Sequence, residues 1–297
     1  MNKKAKSIPK VSVIILNWNQ RDYTVECLNS VLKSDYPNYE AVVIDNVSSD
    51  DSCEVISKQF PSVKLIRSEK NLGITDSRNI GIDYALSSSA DYIMFLDNDA
   101  IVHKNILSEL VSEAEKDKRV AIVTPKIYFY SDRNRIWSLG GGISFYTGNT
   151  NLLGNGEIDH GQYDSHATIE VDHAIGCCLM VRSQVIKKIG KLDSHFYYGE
   201  DTELSIRARR SGYKIVAIPK AVMWHKDSNI WATKDIDYIR SKEVIWLMRK
   251  HARLHHWIVF CFHSLFVIIR IALRKGTRGN LKSIFFRIKG VLDGMRT

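Results

Sequence analysis

No glycine precedes Gly73, so the first strand-to-helix turn carries neither a Gly-x-Gly-x-x-Gly dinucleotide fingerprint nor a phosphate-binding P-loop. NAD and ATP sites of those types are excluded. The five cysteines, Cys27, Cys53, Cys177, Cys178 and Cys261, are odd in number and include no Cys-x-x-Cys pair. That pattern supports neither a disulfide framework nor a zinc knuckle, and it fits a reducing compartment. The first apolar run covers only residues 11–16 and has no small-residue cleavage site behind it, unlike a secretory signal. Acid is nearly missing from one region: residues 249–297 hold 11 basic side chains and a single acid, Asp293. Residues 1–248 carry 31 basic against 32 acidic side chains, so the formal +9 of the 297-residue chain belongs to a basic tail on a neutral body. With 44% hydrophobic and 25% charged residues, wholesale disorder is excluded.

Residues 11–16, Val-Ser-Val-Ile-Ile-Leu, are β-branched and nearly continuously apolar, as in a parallel strand buried on both faces. Helix 22–33, strand 40–44, helix 52–59, strand 63–67, helix 73–87 and strand 92–96 follow. This alternation predicts an α/β fold, an open and mostly parallel sheet with helices on both faces. Ligands of such sheets bind beyond the carboxyl ends of the strands. The residues at those ends are Asn17-Trp18-Asn19, Asp45-Asn46 and Asp97-Asn98-Asp99. After a helix at 104–116 and a strand at 120–123, residues 139–161 hold seven glycines and three asparagines and read as strands joined by long loops. A strand at 177–181, a helix at 200–210, a strand at 213–217 and a helix at 235–250 complete the body.

Two carboxylates one residue apart at the end of a buried strand repel unless a cation lies between them. Asp97 and Asp99 are therefore candidate ligands for Mg²⁺ or Mn²⁺, whose remaining positions would take phosphate oxygens and water. Further along come Gly199-Glu200-Asp201-Thr202-Glu203-Leu204 and Trp224-His225.

With these motifs in this order, residues 11–225 resemble the family 2 glycosyltransferases, inverting enzymes of the GT-A fold. The resemblance implies a Rossmann-like catalytic domain at 1–232, with its nucleotide-binding half at about 1–125 and its acceptor half at about 126–232. Residues 233–297 would form a helical, basic C-terminal region. It implies nucleotide-sugar contacts from Asn17, Trp18, Asn19, Asp45, Asn71, Gly73, Arg78, Asp97 and Asn98. Asp99, Asp97 and His225 match the metal-binding positions, and Asp172, His173 and Gly176 the sugar or acceptor pocket. Asp201 matches the catalytic base, with Glu200 orienting the acceptor. Glu203 and Arg207 form an i,i+4 pair read as structural. The implied activity moves one sugar from a nucleoside-diphosphate-sugar to a glycan or lipid-linked acceptor. Its competitor is a non-catalytic carbohydrate-binding or scaffold protein on the same fold. Thr75-Asp76-Ser77-Arg78-Asn79 departs from the Gly-Gly-Asn-Asn frequent in rhamnosyltransferase-like members, which weakens that donor assignment. The Gln-x-x-Arg-Trp motif of the processive synthases is absent, which favours single addition.

In the tail, 14 of the 17 residues at 257–273 are apolar. A helix of that length measures about 25 Å, short of the roughly 30 Å hydrocarbon core, which disfavours a clean span. Residues 281–292 place Leu281, Ile284, Phe285, Ile288, Val291 and Leu292 on one face and Lys282, Arg287 and Lys289 off it. An apolar face with a cationic flank suits an anionic membrane surface, giving a cytoplasmic enzyme peripheral to the inner face of the cell membrane. The alternative is packing on the catalytic domain or on another subunit of a homo-oligomer. Nucleic acid is disfavoured, because no recognition motif accompanies the charge.

Overall fold

The computed structural model describes residues 7–226, 236–273 and 278–296. The expected boundary between residues 232 and 233 falls outside them, as does the side chain of Leu281. In chain order the elements are β1 (Val11–Asn17), α1 (Arg21–Val31), β2 (Tyr39–Asp45), α2 (Ser52–Gln59), β3 (Lys64–Arg67), α3 (Gly73–Ser87) and β4 (Tyr92–Asp97). Then come β5 (Ala100–Val102), α4 (Ile106–Lys116), β6 (Val120–Phe129), β7 (Ile136–Ser138), β8 (Gly141–Ser144), β9 (Asn149–Leu152) and β10 (Ile169–Val171). The chain continues with β11 (Cys178–Arg182), α5 (Ser183–Ile189), α6 (Glu200–Arg210), β12 (Lys214–His225), α7 (Ile236–His251), α8 (Leu254–Leu273) and α9 (Arg278–Arg296).

The main sheet runs β10-β12-β6-β11-β4-β1-β2-β3. Strands β1 to β4 pair in parallel, because each crossover is helical and returns the chain to the same end. β11 enters antiparallel between β4 and β6, so the sheet is mixed in its second half. Its alternating apolar residues are buried on both faces, one set packing with α1, α2 and α4, the other with α3, α5 and α6. The glycine-rich segment forms the separate β8-β9 hairpin.

Sequence pattern located most of these elements. It stopped β12 at residue 217, whereas the strand runs on to His225 past Pro219, with its register against β6 shifting between Ile218 and Val222. A proline inside a strand reads as a terminator, and here an irregularity absorbs it.

The two tail segments are both helical but differ in surroundings. α9 docks on α7: Arg287 pairs with Asp237 at 2.6 Å, and Arg249 Nη1 donates to the Gly294 carbonyl at 2.9 Å. A Cβ at Gly290 would lie 2.4 Å from the Tyr238 carbonyl, so glycine is what permits this approach. α8 is 20 residues, longer than its apolar core suggests, and spans about 30 Å. Its window Leu254–Ile271 has mean hydropathy 1.6 and is only 6% buried. By length and composition it is one helix able to cross a membrane.

Candidate active site

Strand pairing sets the site. Asn17 stands opposite Asp45, and Leu16 opposite Asp97, so three adjacent parallel strands end in polar side chains. Asn17 Nδ2 donates to Asp45 Oδ1 at 2.8 Å and to Ser48 Oγ at 3.0 Å. Its Oδ1 accepts from Thr24 at 2.7 Å, and Thr24 in turn accepts from Asn98 Nδ2 at 3.0 Å. Burial disfavours the Asp45 charge, but hydrogen bonds from Ser48 and Asn17 prevail and hold the carboxyl below its ordinary value. Asn19, at φ 52°, donates its amide to Ser48 Oγ at 2.9 Å, while the neighbouring Trp18 is 52% exposed. Ser48 ties all three together and escaped sequence reasoning. The available signal was its place three residues after Asp45, within reach of a local side-chain-to-backbone bond at 3.1 Å.

Asn71 faces inward. Its Oδ1 accepts from Asn46 Nδ2 and from the Gly73 amide, both at 3.0 Å. Gly73 sits at φ 71°, and a Cβ there would lie 2.9 Å from the Tyr197 ring. The start of α3 therefore favours glycine, for backbone and for space.

The metal candidates converge through a short pairing. β5 runs antiparallel to β12 with Ala100 opposite His225, which carries the imidazole beside Asp97 and Asp99. His225 Nε2 lies 3.0 Å from Asp99 Oδ1 and 3.9 Å from Asp97 Oδ2. One ligand atom from each of the three lies within 4.8 Å of the others. Trp137 stacks on the ring at 4.6 Å and 5°, fixing its plane. Burial alone would strip the imidazole of its proton, but the Asp97 and Asp99 carboxylates overcome this and push His225 up to about 10. Two carboxylate oxygens and one imidazole nitrogen at the open end of the sheet can hold a divalent metal ion in place of that proton.

Arg78 enters from α3 and is 4% exposed. Its Nη2 donates to Asp97 Oδ1 and to the Gly176 carbonyl, each at 2.8 Å, and its Nη1 contacts Glu200 Oε1. A guanidinium offers five donors in a plane, which allows one side chain to join the candidate metal ligands to the start of α6. Burial raises the Glu200 carboxyl, to about 8, with the Arg78 guanidinium opposing it. Asp201 Oδ2 accepts the Gly176 amide at 2.6 Å, and its Oδ1 accepts the Thr202 amide at 2.5 Å.

The structure thus joins Asp97, Asp99, His225, Arg78, Gly176, Glu200 and Asp201 in one chain of contacts. Asn17, Trp18, Asn19, Asp45, Asn71, Gly73 and Asn98 form an adjoining cluster. Asp172 and His173 lie beside β8. Asp172 accepts the Ile143 amide at 3.0 Å and pairs with Arg209 at 2.7 Å, and the buried His173 bridges to Gly141, so both brace β8. The expected Glu203–Arg207 pair is present at 2.7 Å.

This arrangement is that of the GT-A fold. The sequence profile of "Glycosyl transferase family 2" matches residues 12–190, and the chain belongs to that family. Glycosyltransferase AglE of Haloferax volcanii is 27% identical over 222 residues, which cover 70% of this chain and 64% of that protein. The chain spans less than two thirds of the length of the curated relatives it matches. Among solved structures, GalNAc-T7 with UDP, GalNAc and Mn²⁺ superposes with TM-score 0.67 at 18% identity, covering 98% of this chain and 57% of that one. The mannosyltransferase PcManGT of Pyrobaculum calidifontis, in complex with GDP-Man and Mn²⁺, gives TM-score 0.63 at 13% identity, covering 97% and 88%.

Proposed function

We propose that the chain is a metal-dependent inverting glycosyltransferase that moves one sugar from a nucleoside-diphosphate-sugar to a glycan or lipid-linked acceptor. The observation that carries this reading is the continuity of contacts from Asp99 and His225, through Asp97 and Arg78, to Glu200 and Asp201. A bound Mn²⁺ or Mg²⁺ would supply charge neutralisation for the departing diphosphate. Asp97, Asp99 and His225 would hold it. The exposed Trp18 indole offers a face for the base, and the Asn17–Asp45–Ser48 cluster at the neighbouring strand ends offers polar groups for the nucleoside.

Asp201 serves as the general base. Its carboxylate takes the acceptor hydroxyl's proton as that oxygen bonds to the anomeric carbon and the bond to the diphosphate oxygen breaks, which inverts the centre in one displacement. Position at the first turn of α6 favours the anion before reaction. Arg78, held by Asp97 and Glu200, steadies the two sides of the site relative to one another.

We further assign the chain to the cytoplasmic face of a membrane, peripherally, through α8 and the outer face of α9. In support, Phe262, Leu265 and Phe266 on α8 and Phe285, Ile288 and Leu292 on α9 are exposed, and basic residues flank them.

The deciding experiment measures binding and turnover of a panel of UDP-, GDP- and dTDP-sugars with Mn²⁺ or Mg²⁺, alongside Asp201→Asn. Metal-dependent donor binding that survives Asp201→Asn while transfer is lost supports the reading. No response to any donor, with or without metal, refutes it.

A further inference from the structure

Helix α7 lies beyond the residues matched by the family profile, yet one of its side chains reaches the turn that leads into the catalytic pair. Glu243 is 6% exposed. Its Oε1 accepts the Tyr197 amide, and the Tyr198 amide approaches Oε1 at 3.1 Å and Oε2 at 3.3 Å. A Cβ at Gly199 would lie 3.7 Å from Oε2, so the carboxylate sits under three consecutive residues of the turn. Glu200 and Asp201 follow at once.

The same turn is gripped from the other side. Thr75 on α3 donates its hydroxyl to the Phe196 carbonyl, and the Tyr197 ring lies over Gly73. The turn therefore connects the nucleotide cluster to the start of α6, and α7 supplies a carboxylate anchor to it. Lower on α7, Lys250 and His251 both reach Glu203 of α6, at 2.7 Å and 3.2 Å, which keeps the two helices from sliding.

A buried carboxylate is a costly way to hold a turn, since apolar packing of the same volume is commonly as stable or more so. What it adds is direction: backbone amides converging on one anion fix the orientation of the peptide planes. Burial also pushes this carboxyl up, to about 7, against the opposing amide bonds. The carboxylate is thus held where its charge is unfavourable, as expected of a group kept for geometry.

We propose, resting on the transfer reading above, that Glu243 is a positioning residue that sets Asp201 and the Tyr197 ring for acceptor attack without touching the donor. Its action runs through the Tyr197–Tyr198–Gly199 turn.

The test uses the full chain with Glu243→Ala and Glu243→Gln. Hydrogen exchange is followed in peptides covering 196–201, and affinity is measured for UDP, GDP and dTDP with Mn²⁺. Acceptor KM and kcat are measured with the best donor and acceptor of the panel. For Glu243→Ala, exchange at 196–201 rises at least about tenfold, and kcat divided by acceptor KM falls about ten- to a hundredfold. Nucleotide affinity stays within about twofold. Glu243→Gln, whose amide oxygen still accepts, recovers most of both losses. Unchanged exchange in Glu243→Ala overturns the proposal, and so does equal loss of nucleotide binding and transfer in both variants. If the wild-type chain binds no nucleotide, the transfer reading fails, and the exchange measurement still decides whether Glu243 sets the turn.

Discussion

Gly176 donates its amide hydrogen to Asp201 Oδ2 at 2.6 Å, and the contact leaves no room for a side chain on the glycine. A Cβ at position 176 would lie 2.7 Å from Arg78 Nη1, 3.2 Å from Asp201 Oδ2 and 3.3 Å from Glu200 Oε1. Arg78 is a long side chain that elsewhere would yield. Here Asp97, Glu200 and the Gly176 carbonyl hold it, so the strain passes to the carboxylates. Gly176→Ala is expected to cost about 1–3 kcal/mol of stability as an overpacked site. Transfer should fall further, by roughly a hundredfold, because displacement of a reacting group by about 1 Å has that effect. Urea unfolding and steady-state kinetics on the same preparation separate the two. A variant with full turnover would show that Asp201 does not depend on this contact.

The metal cluster gives a prediction independent of turnover. Asp99 Oδ1 faces His225 Nε2 at 3.0 Å, and Asp97 stands on the other side. Replacing one anionic ligand of a hard cation by an amide keeps the shape and removes half the carboxylate charge. Asp99→Asn should weaken Mn²⁺ binding at least about tenfold, read by electron paramagnetic resonance of free Mn²⁺, with the fold intact by circular dichroism. Equal Mn²⁺ affinity in the two proteins would remove Asp99 from the ligand set.

Much of the sheet and most of this cluster were legible because they follow from strand ends. Buried strands announce themselves by nearly continuous apolar runs, and Asn17, Asp45 and Asp97 are the polar residues that close them. His225 was found by likeness to a motif and not by pattern, since the strand that delivers it runs through Pro219 and looks terminated there. Arg78 shows what pattern cannot give. Charge on a helix reads as solvated, and only tertiary structure reveals a guanidinium enclosed by two carboxylates and a carbonyl. Ser48 and Glu243 were invisible for the same reason, since only the fold brings Asn17 Nδ2 and the Asn19 amide to Ser48 Oγ, and the Tyr197 and Tyr198 amides to Glu243.

Glu203 predicts a pH dependence. Burial works against its charge, but His251, Lys250 and Arg207 prevail and lower the carboxyl from 4.5 to about 2. A carboxyl depressed in the folded state contributes stability that is complete above its unfolded value and is lost as pH falls toward the folded one. The contribution, about 3 kcal/mol, is therefore present at neutral pH and disappears between about pH 4.5 and 2. Glu203→Gln lacks it, so the gap in unfolding free energy between wild type and variant should be widest near pH 6 and narrow steadily on acidification. A gap of constant size across that range would mean the ion pairs contribute through packing alone.

The apolar helix α8 yields the last prediction. Phe262, Leu265 and Phe266 are 73%, 57% and 61% exposed, and neighbouring turns of α8 leave Ile258 and Ile269 open as well. Exposed single apolar residues are ordinary, but a continuous stripe along 20 residues is a contact surface. Burying one phenylalanine contributes about 1.5–3 kcal/mol, and each nearby Lys or Arg about 1 kcal/mol on an anionic bilayer. Phe262→Glu with Phe266→Glu removes two apolar contacts and adds two repelled charges. Binding to phosphatidylglycerol vesicles should fall at least about a hundredfold by sedimentation, with Mn²⁺-dependent nucleotide binding unchanged. The salt dependence separates the two contributions: the basic flank weakens at high salt, as screened charges do, while the apolar part persists. Vesicle binding that survives both substitutions at high salt would rule α8 out as the membrane contact.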